Sequence, residues 1–409
     1  MNTHRIPLVV IGAGYAGVTA ANRLRARLTT AEAVRWQVTL IAPDSFLIDR
    51  VRLHEYAAGT RDEVRVPLRN LLHADVQHLA ATVTRIDPGR REVHVAAAAD
   101  LDPDPMRYDG AIVAVGSGAD GASPDRSWHG VHNLEAARRL RAAVRGDAPA
   151  AVWRELRVIG GGATGVELAA ELADSPATRH RGEPLSPRIS LYGAAASFAG
   201  VPGRGQQRLR RILTRKGVEL RPGTRVAPAE QDALAEPPAP EQSHAGDPEH
   251  TLTVWAGALA VPELGRASGL SVDGLGRIHT DDTLRVPGAT RLYAAGDAGA
   301  VRGPRGRHLR MSCATAIPLG GHAADSLLSE LRGEQPRPID IGYAVQCLSL
   351  GRRSGLVQLV RPDDRPRGIT VTGRPAAWVK WWICRSILKW PAGEARRPGS
   401  ALVVRGPRS

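Results

Sequence analysis

Two stretches of this chain share one rhythm of apolar and polar positions. Residues 8–11 form an unbroken branched apolar run, glycines follow, and "VTAANRLRARL" then carries apolar residues at helical spacing. Residues 156–159 form a second such strand, apolar but for Arg157, glycines follow again, and residues 166–172 begin a second helical pattern. A short apolar run without alternation predicts a strand buried on both faces, as in a parallel sheet. Residues 36–42 and 188–193 read as the next strand of each unit. Residues 81–95 alternate around Pro88-Gly89 and predict a hairpin. Residues 108–118 read as a buried strand that ends in Gly-Ser-Gly, and residues 289–300 as a strand that ends in Gly296-Asp297. Near the carboxyl end, residues 376–390 predict an amphipathic helix. At 100° per residue, Val379, Ile383, Ile387 and Trp390 share one face, and Trp378, Trp382, Arg385 and Lys389 share the other.

The chain has 409 residues, enough for about two to three domains. Its formal charge is +14, nearly all arginine, since only Lys216, Lys380 and Lys389 are lysines. Such a balance suits nucleic acid or an anionic membrane. The arginines are scattered, however, and gather only near the carboxyl end. They read first as solvated faces and second as a membrane attraction; no nucleic-acid partner is expected. Three cysteines, Cys313, Cys347 and Cys384, make an odd and sparse set that points to a reducing compartment such as the cytoplasm. The first residues do not read as a signal peptide, because their apolar run is broken by Gly12 and Gly14. No window approaches the ~20 apolar residues of a spanning helix.

The glycines after the first strand are Gly12, Gly14 and Gly17, the G-x-G-x-x-G spacing. Between a strand and a helix this spacing reads as a dinucleotide cradle. The first glycine permits the turn, the second lets backbone approach a pyrophosphate, and the third lets helix pack on strand. The helix then offers free N–H groups and its positive dipole end to the phosphates. Tyr15 and Ala16 complete this cradle. The acid that would grip the ribose is missing from the end of the second strand, where Ala42 stands; Asp44 lies two residues later and is the candidate. The second cradle is built from Gly160, Gly162 and Gly165, with Glu167 expected in the first helical turn. Its acid position is held by Gly193. An acid there favours NADH and a nearby arginine accommodates NADPH. Arg204 lies downstream without being diagnostic, so the choice stays open.

Taken with "YDGAIVAVGSG" (108–118) and "ATRLYAAGDAGA" (289–300), this order of segments resembles the two-dinucleotide flavoproteins. That family includes type II NADH dehydrogenases, apoptosis-inducing-factor-like oxidoreductases and disulfide reductases. The resemblance implies that Gly296 and Asp297 hold the ribityl chain of FAD, and that Arg50, Val83 and Gly116 lie close to it. "LRMSCATAIPLGGHAADSLL" and "AVQCLSLGRRSGLVQ" look like the type II NADH-dehydrogenase branch, which implies flavin contacts at Ala316 and Ile317. The disulfide-reductase branch needs paired cysteines, and sulfide:quinone reductases a cysteine near the second cradle. No such pair occurs, and no cysteine precedes Cys313. Cys313 and Cys347 read as small buried hydrophobes.

The expected fold is α/β, with two Rossmann-like domains for FAD and NAD(P), the second inserted in the first, plus a small carboxyl-terminal domain. The expected bounds are 1–118 with 258–330 for FAD, 119–257 for NAD(P)H, and 331–409 for the last. Residues 227–250, polar and proline-rich, read as a surface loop, and the stretch after Trp390 as a loose tail. The implied chemistry is hydride transfer from NAD(P)H to flavin N5, then delivery to a second acceptor such as a quinone. Glu167 is expected near the nicotinamide, and no metal is required. A reductase of a small redox protein and a non-catalytic flavin sensor remain alternatives. The carboxyl-terminal helix would meet a membrane surface, making the protein peripheral on the inner face of the membrane. Packing of its aliphatic stripe with a partner over the other face, or a homodimer, stays open.

Overall fold

The computed structural model describes residues 5–96, 104–118, 128–145, 153–178, 187–226, 250–257, 259–303 and 306–407. Two parallel five-stranded sheets carry the fold, and both are assembled around a glycine-turn strand. In the first, β1 (Ile6–Ile11) lies between β2 (Trp36–Ile41) and β3 (Gly110–Val113), with Gln77–Leu79 and Leu292–Ala294 at the edges. Ile6 pairs with Trp36 and Ile11 with Ile41. Residues 8–11 are buried to the last side chain, as the unbroken apolar run predicts for a sheet covered on both faces. In the second sheet, β4 (Glu155–Ile159) lies between β5 (Arg188–Gly193) and Thr251–Trp255, with Val218–Pro222 and His129–Gly130 outermost. On one side of the central strand the two sheets run in the same order, but their other edges differ: Leu292–Ala294 is the last strand of the first sheet to form along the chain, whereas His129–Gly130 precedes the central strand of the second.

Each central strand turns through its glycines into a helix: α1 (Tyr15–Arg27) after β1 and α2 (Ala163–Asp174) after β4. Helix α3 (Gly203–Arg215) follows β5. The longer α4 (Cys313–Leu331) lies along α1 in one apolar core. A Cβ on Gly320 would come within 2.9 Å of Ala16 Cα, so only glycine permits this approach. The expected hairpin forms as Thr82–Asp87 against Glu92–Ala96. A three-stranded antiparallel sheet, Val345–Ser349, Gly355–Val360 and Pro366–Thr372, follows. It seats Leu348, Leu350 and Leu356 in the core of the second parallel sheet. Helix α5 (Arg374–Gly393) ends the regular structure.

Beyond Trp390 the expectation of a loose tail is overturned. Glu394 is fully buried and accepts from Arg23 Nε at 2.6 Å, Gly399 N at 2.7 Å and Ala401 N at 2.8 Å. Further on, Gly342 N donates to Val404 O, and Gly406 N to Asp340 Oδ1. A buried carboxylate must be paired and hydrogen-bonded, and these bonds pin the segment. Of the expected loop at 227–250, all but the last residue lies outside the described residues.

Candidate functional site

The two glycine turns are alike in detail. Gly12 has φ 106° and Gly160 φ 135°, both in the left-handed half of backbone space. A Cβ on Gly12 would sit 2.5 Å from Ala114 O, and one on Gly160 2.5 Å from Ala256 O. A Cβ on Gly17 would collide with Gly12 O, and one on Gly165 with Gly160 O. By contrast, Gly14 (φ −77°) and Gly162 (φ −75°) have ordinary backbone and nothing within 4 Å of a Cβ. Each stands as the N-cap of its helix with no side-chain cap, and neither helix has an acid in its first turn. Two helix starts thus keep open space and unsatisfied N–H groups at the glycine that a pyrophosphate would approach. The residues present fit two dinucleotides.

Around the first turn the structure gathers most of the residues read from the sequence. A Cβ on Gly296 (φ 67°) would lie 3.0 Å from Ala16 Cβ and 3.8 Å from Ala316 Cβ, so strand end, α1 and α4 converge there. Asp297 accepts from Ser117 Oγ at 2.6 Å. Arg50 Nη2 donates to His132 O at 3.0 Å. Burial lowers the Arg50 pKa, and Asp297 and Tyr15 oppose that shift without overcoming it. Tyr15 donates its hydroxyl to Asp49 at 2.7 Å; burial and then the Asp49 charge push its pKa well up. Gly116, with φ 71°, has nothing within 4 Å of a Cβ. Ile317 is buried behind Ala316, and Val83 belongs to the core beneath the sheet. Asp44 is exposed past Ala42 and bonds no described residue. Ser117, Asp49 and His132 were not read as site residues; the Gly-Ser-Gly after β3 was the available signal for Ser117.

Glu167 differs from its sequence reading. Helix α2 begins at Ala163, so Glu167 stands one turn further in, away from the helix start. The dipole is not its partner. Its carboxylate, 8% exposed, pairs with Lys380 Nζ at 2.9 Å and accepts from Ser349 N at 2.7 Å. Burial alone would raise its pKa, but Lys380, His54 and the Ser349 N–H outweigh burial and hold it low. Burial would likewise lower Lys380, and Glu167 raises it well above the ordinary value. His54 Nε2 is buried with no hydrogen-bond partner among the described residues. Lys380 was missed, although a cation four residues before Cys384 and seven before Ile387 lies on the buried side of a helix.

The cysteines also depart from expectation. Cys384 is buried, but Cys313 and Cys347 are only half-buried. Burial nevertheless pushes the Cys313 thiol up to about 12. Beside the second cradle, Trp128 and Trp255 meet in a tilted pair with centroids 6.0 Å apart, a pairing the sequence reading did not pick out.

On α5 the aliphatic stripe packs inward. Ile387 is buried, and Ile383, Leu388 and Trp390 lie against the core of the first sheet. The other side leaves Trp378 64%, Trp381 49% and Trp382 47% exposed, beside exposed Arg374, Arg385 and Lys389. Trp381 was absent from the predicted face. Among the described residues no helix is long and apolar enough to cross a membrane.

Known proteins share this arrangement. An NADH dehydrogenase-like protein of Mycobacterium tuberculosis is 29% identical over 388 residues, 91% of this chain and 92% of its own. A type II NADH:quinone oxidoreductase of Staphylococcus saprophyticus is 25% identical over 402 residues, 93% and 94% of the two chains. The solved structure of NDH2 from Plasmodium falciparum in complex with NADH shares the fold at a TM-score of 0.74. Its sequence is 14% identical, with 97% of this chain and 99% of that one covered. The family described as pyridine nucleotide-disulphide oxidoreductase matches residues 6–318, and with both cradles inside that span this chain belongs to that family.

Proposed function

We propose that this chain is an FAD-dependent NAD(P)H:quinone oxidoreductase. The observation that carries the reading is the pair of matching glycine cradles, each with an uncapped helix start and open space at its middle glycine. The relatives named for NADH:quinone oxidoreduction support the acceptor. FAD held in the first cradle would supply a hydride acceptor able to release electrons singly or in pairs.

The chain's residues bind and orient. The α1 N–H groups and Gly14 meet the FAD pyrophosphate, and Asp297, held by Ser117, takes the ribityl hydroxyls. Arg50 stands beside Asp297 and balances its charge. Ala316 and Ile317 present the start of α4 to the ring. Gly162 and α2 meet the pyrophosphate of the nicotinamide nucleotide. Glu167 and Lys380 form an ion pair between α2 and α5, with the buried His54 close by, and the pair fixes the carboxyl-terminal helix against the second cradle.

The division into 1–118 with 258–330, 119–257, and 331–409 is supported by strand membership: Leu292–Ala294 joins the first sheet after the second is complete. The exit and the return of the chain lie side by side, with Gly118 N donating to Ala260 O at 2.7 Å. The exposed tryptophans and cations of α5 support attachment to a bilayer surface, where such a face buries apolar rings among anionic headgroups. Turnover assays with a soluble quinone analogue and with ferredoxin test the acceptor. Quinone reduction is expected; reduction of ferredoxin alone would contradict it.

A further inference from the structure

Resting on that reading, we propose that the second cradle is built for a nucleotide with a 2′-phosphate, NADPH in preference to NADH, and that Arg210 recognises it. In a Rossmann unit the ribose 2′ position lies at the end of the second strand, where a carboxylate selects the free hydroxyl. Here that strand is β5, and its last residue packs on the glycine turn. A Cβ on Gly193 would lie 2.9 Å from Phe198 Cε1 and 3.2 Å from Gly161 Cα. Phe198 is fully buried and cannot withdraw. Packing therefore excludes an acid from the position that would grip the 2′-hydroxyl.

The next four residues, Ala194, Ala195, Ala196 and Ser197, are exposed and carry no carboxylate. Their loop is tied to the cradle, since Ala199 N donates to Gly161 O at 2.6 Å. On α3, Arg210 reaches back over this loop and donates from Nη2 to Ala196 O at 2.7 Å. Arg210 is exposed and has no carboxylate partner among the described residues. That bond holds the guanidinium at the loop, and no carboxylate of the described residues neutralises it there. On the other side, Thr224 N donates to Gly193 O at 3.0 Å, which brings Arg225 next to the strand end. The nearest acid on the neighbouring strand, Glu219, is already paired with Arg221 at 2.5 Å. A doubly charged phosphate suits a planar guanidinium fork with spare donors. Arg204, which lies downstream without being diagnostic in the sequence, donates to no described group, and Arg210 is the residue that spacing along the chain could not single out.

The test is calorimetric binding of 2′,5′-ADP and 5′-ADP to the FAD-loaded protein, alongside flavin bleaching by NADPH and NADH. In the wild type, 2′,5′-ADP should bind about tenfold more tightly, about 1.4 kcal/mol. In Arg210→Gln that ratio should fall to about threefold or less, and Arg210→Lys should restore part of it. Circular dichroism identifies any variant that fails to fold; wild-type selectivity then stands as the deciding measurement. Equal or tighter binding of 5′-ADP by the wild type, or an unchanged ratio in a folded Arg210→Gln, overturns the proposal. If NADH bleaches the flavin in that case, the oxidoreductase reading survives alone. If neither nucleotide binds or bleaches, that reading fails as well.

Discussion

The carboxylate of Glu167 and the ammonium of Lys380 meet at 2.9 Å inside the protein, joining the helix of the second cradle to the carboxyl-terminal helix. Removing one member leaves the other charged and buried, which costs about 3–5 kcal/mol. Glu167→Gln and Lys380→Met should each lower the unfolding temperature, and the double variant should recover part of the loss. Thermal melts of the four proteins check this. If the pair also serves acceptor reduction, the folded double variant stays slow with quinone while still being bleached by NAD(P)H.

The glycines separate binding from folding. Gly17 and Gly165 face backbone that a Cβ would strike, so Gly17→Ala or Gly165→Ala should destabilise by about 1–3 kcal/mol or prevent folding. Gly14 and Gly162 face open space, so Gly14→Ala and Gly162→Ala should fold. Gly14→Ala should purify with little FAD, and Gly162→Ala should keep FAD but bind nucleotide about tenfold or more weakly. Absorbance near the flavin bands and nucleotide titration read the two apart.

Acid should loosen the carboxyl terminus. Burial raises the Glu394 pKa, but the bonds from Arg23, Gly399 and Ala401 outweigh it, and the folded value lies below the ordinary 4.5. A lowered carboxyl pKa contributes stability that is full above the ordinary value and is lost as pH falls through the folded one. Unfolding temperature should therefore drop below about pH 4.5. Glu394→Gln should start lower and vary less over that range. An equal pH dependence in the variant would remove Glu394 from the account.

The exposed tryptophans of α5 should carry any membrane attachment. Vesicles with anionic headgroups are expected to pellet the protein and to shift its tryptophan emission to the blue. A variant with Trp378, Trp381 and Trp382 all changed to Ala should stay in solution. Wild type that ignores the vesicles but elutes as a dimer would assign this face to a second copy.

The parallel strands, both cradles and the hairpin were legible because each rests on local spacing: apolar runs, glycine triplets and a Pro-Gly turn. The inward face of α5 followed from its period. What escaped depends on long-range neighbours. Lys380 looks like one cation among many until Glu167 is found opposite it. Glu394 lies in a Pro-, Gly- and Arg-rich stretch whose order comes from Arg23, at the other end of the chain. Arg210 acquires meaning only where α3 folds back over the end of β5. The half-exposure of Cys313 and Cys347 is likewise set by packing that no local pattern records.

The most direct measurement is an anaerobic visible titration of the purified protein with reduced nicotinamide nucleotide, followed by addition of a soluble quinone. The account predicts a yellow protein whose flavin bands bleach at one equivalent of nucleotide and return on adding quinone. A colourless protein unable to take up FAD, or a yellow one that neither nucleotide bleaches, would contradict it.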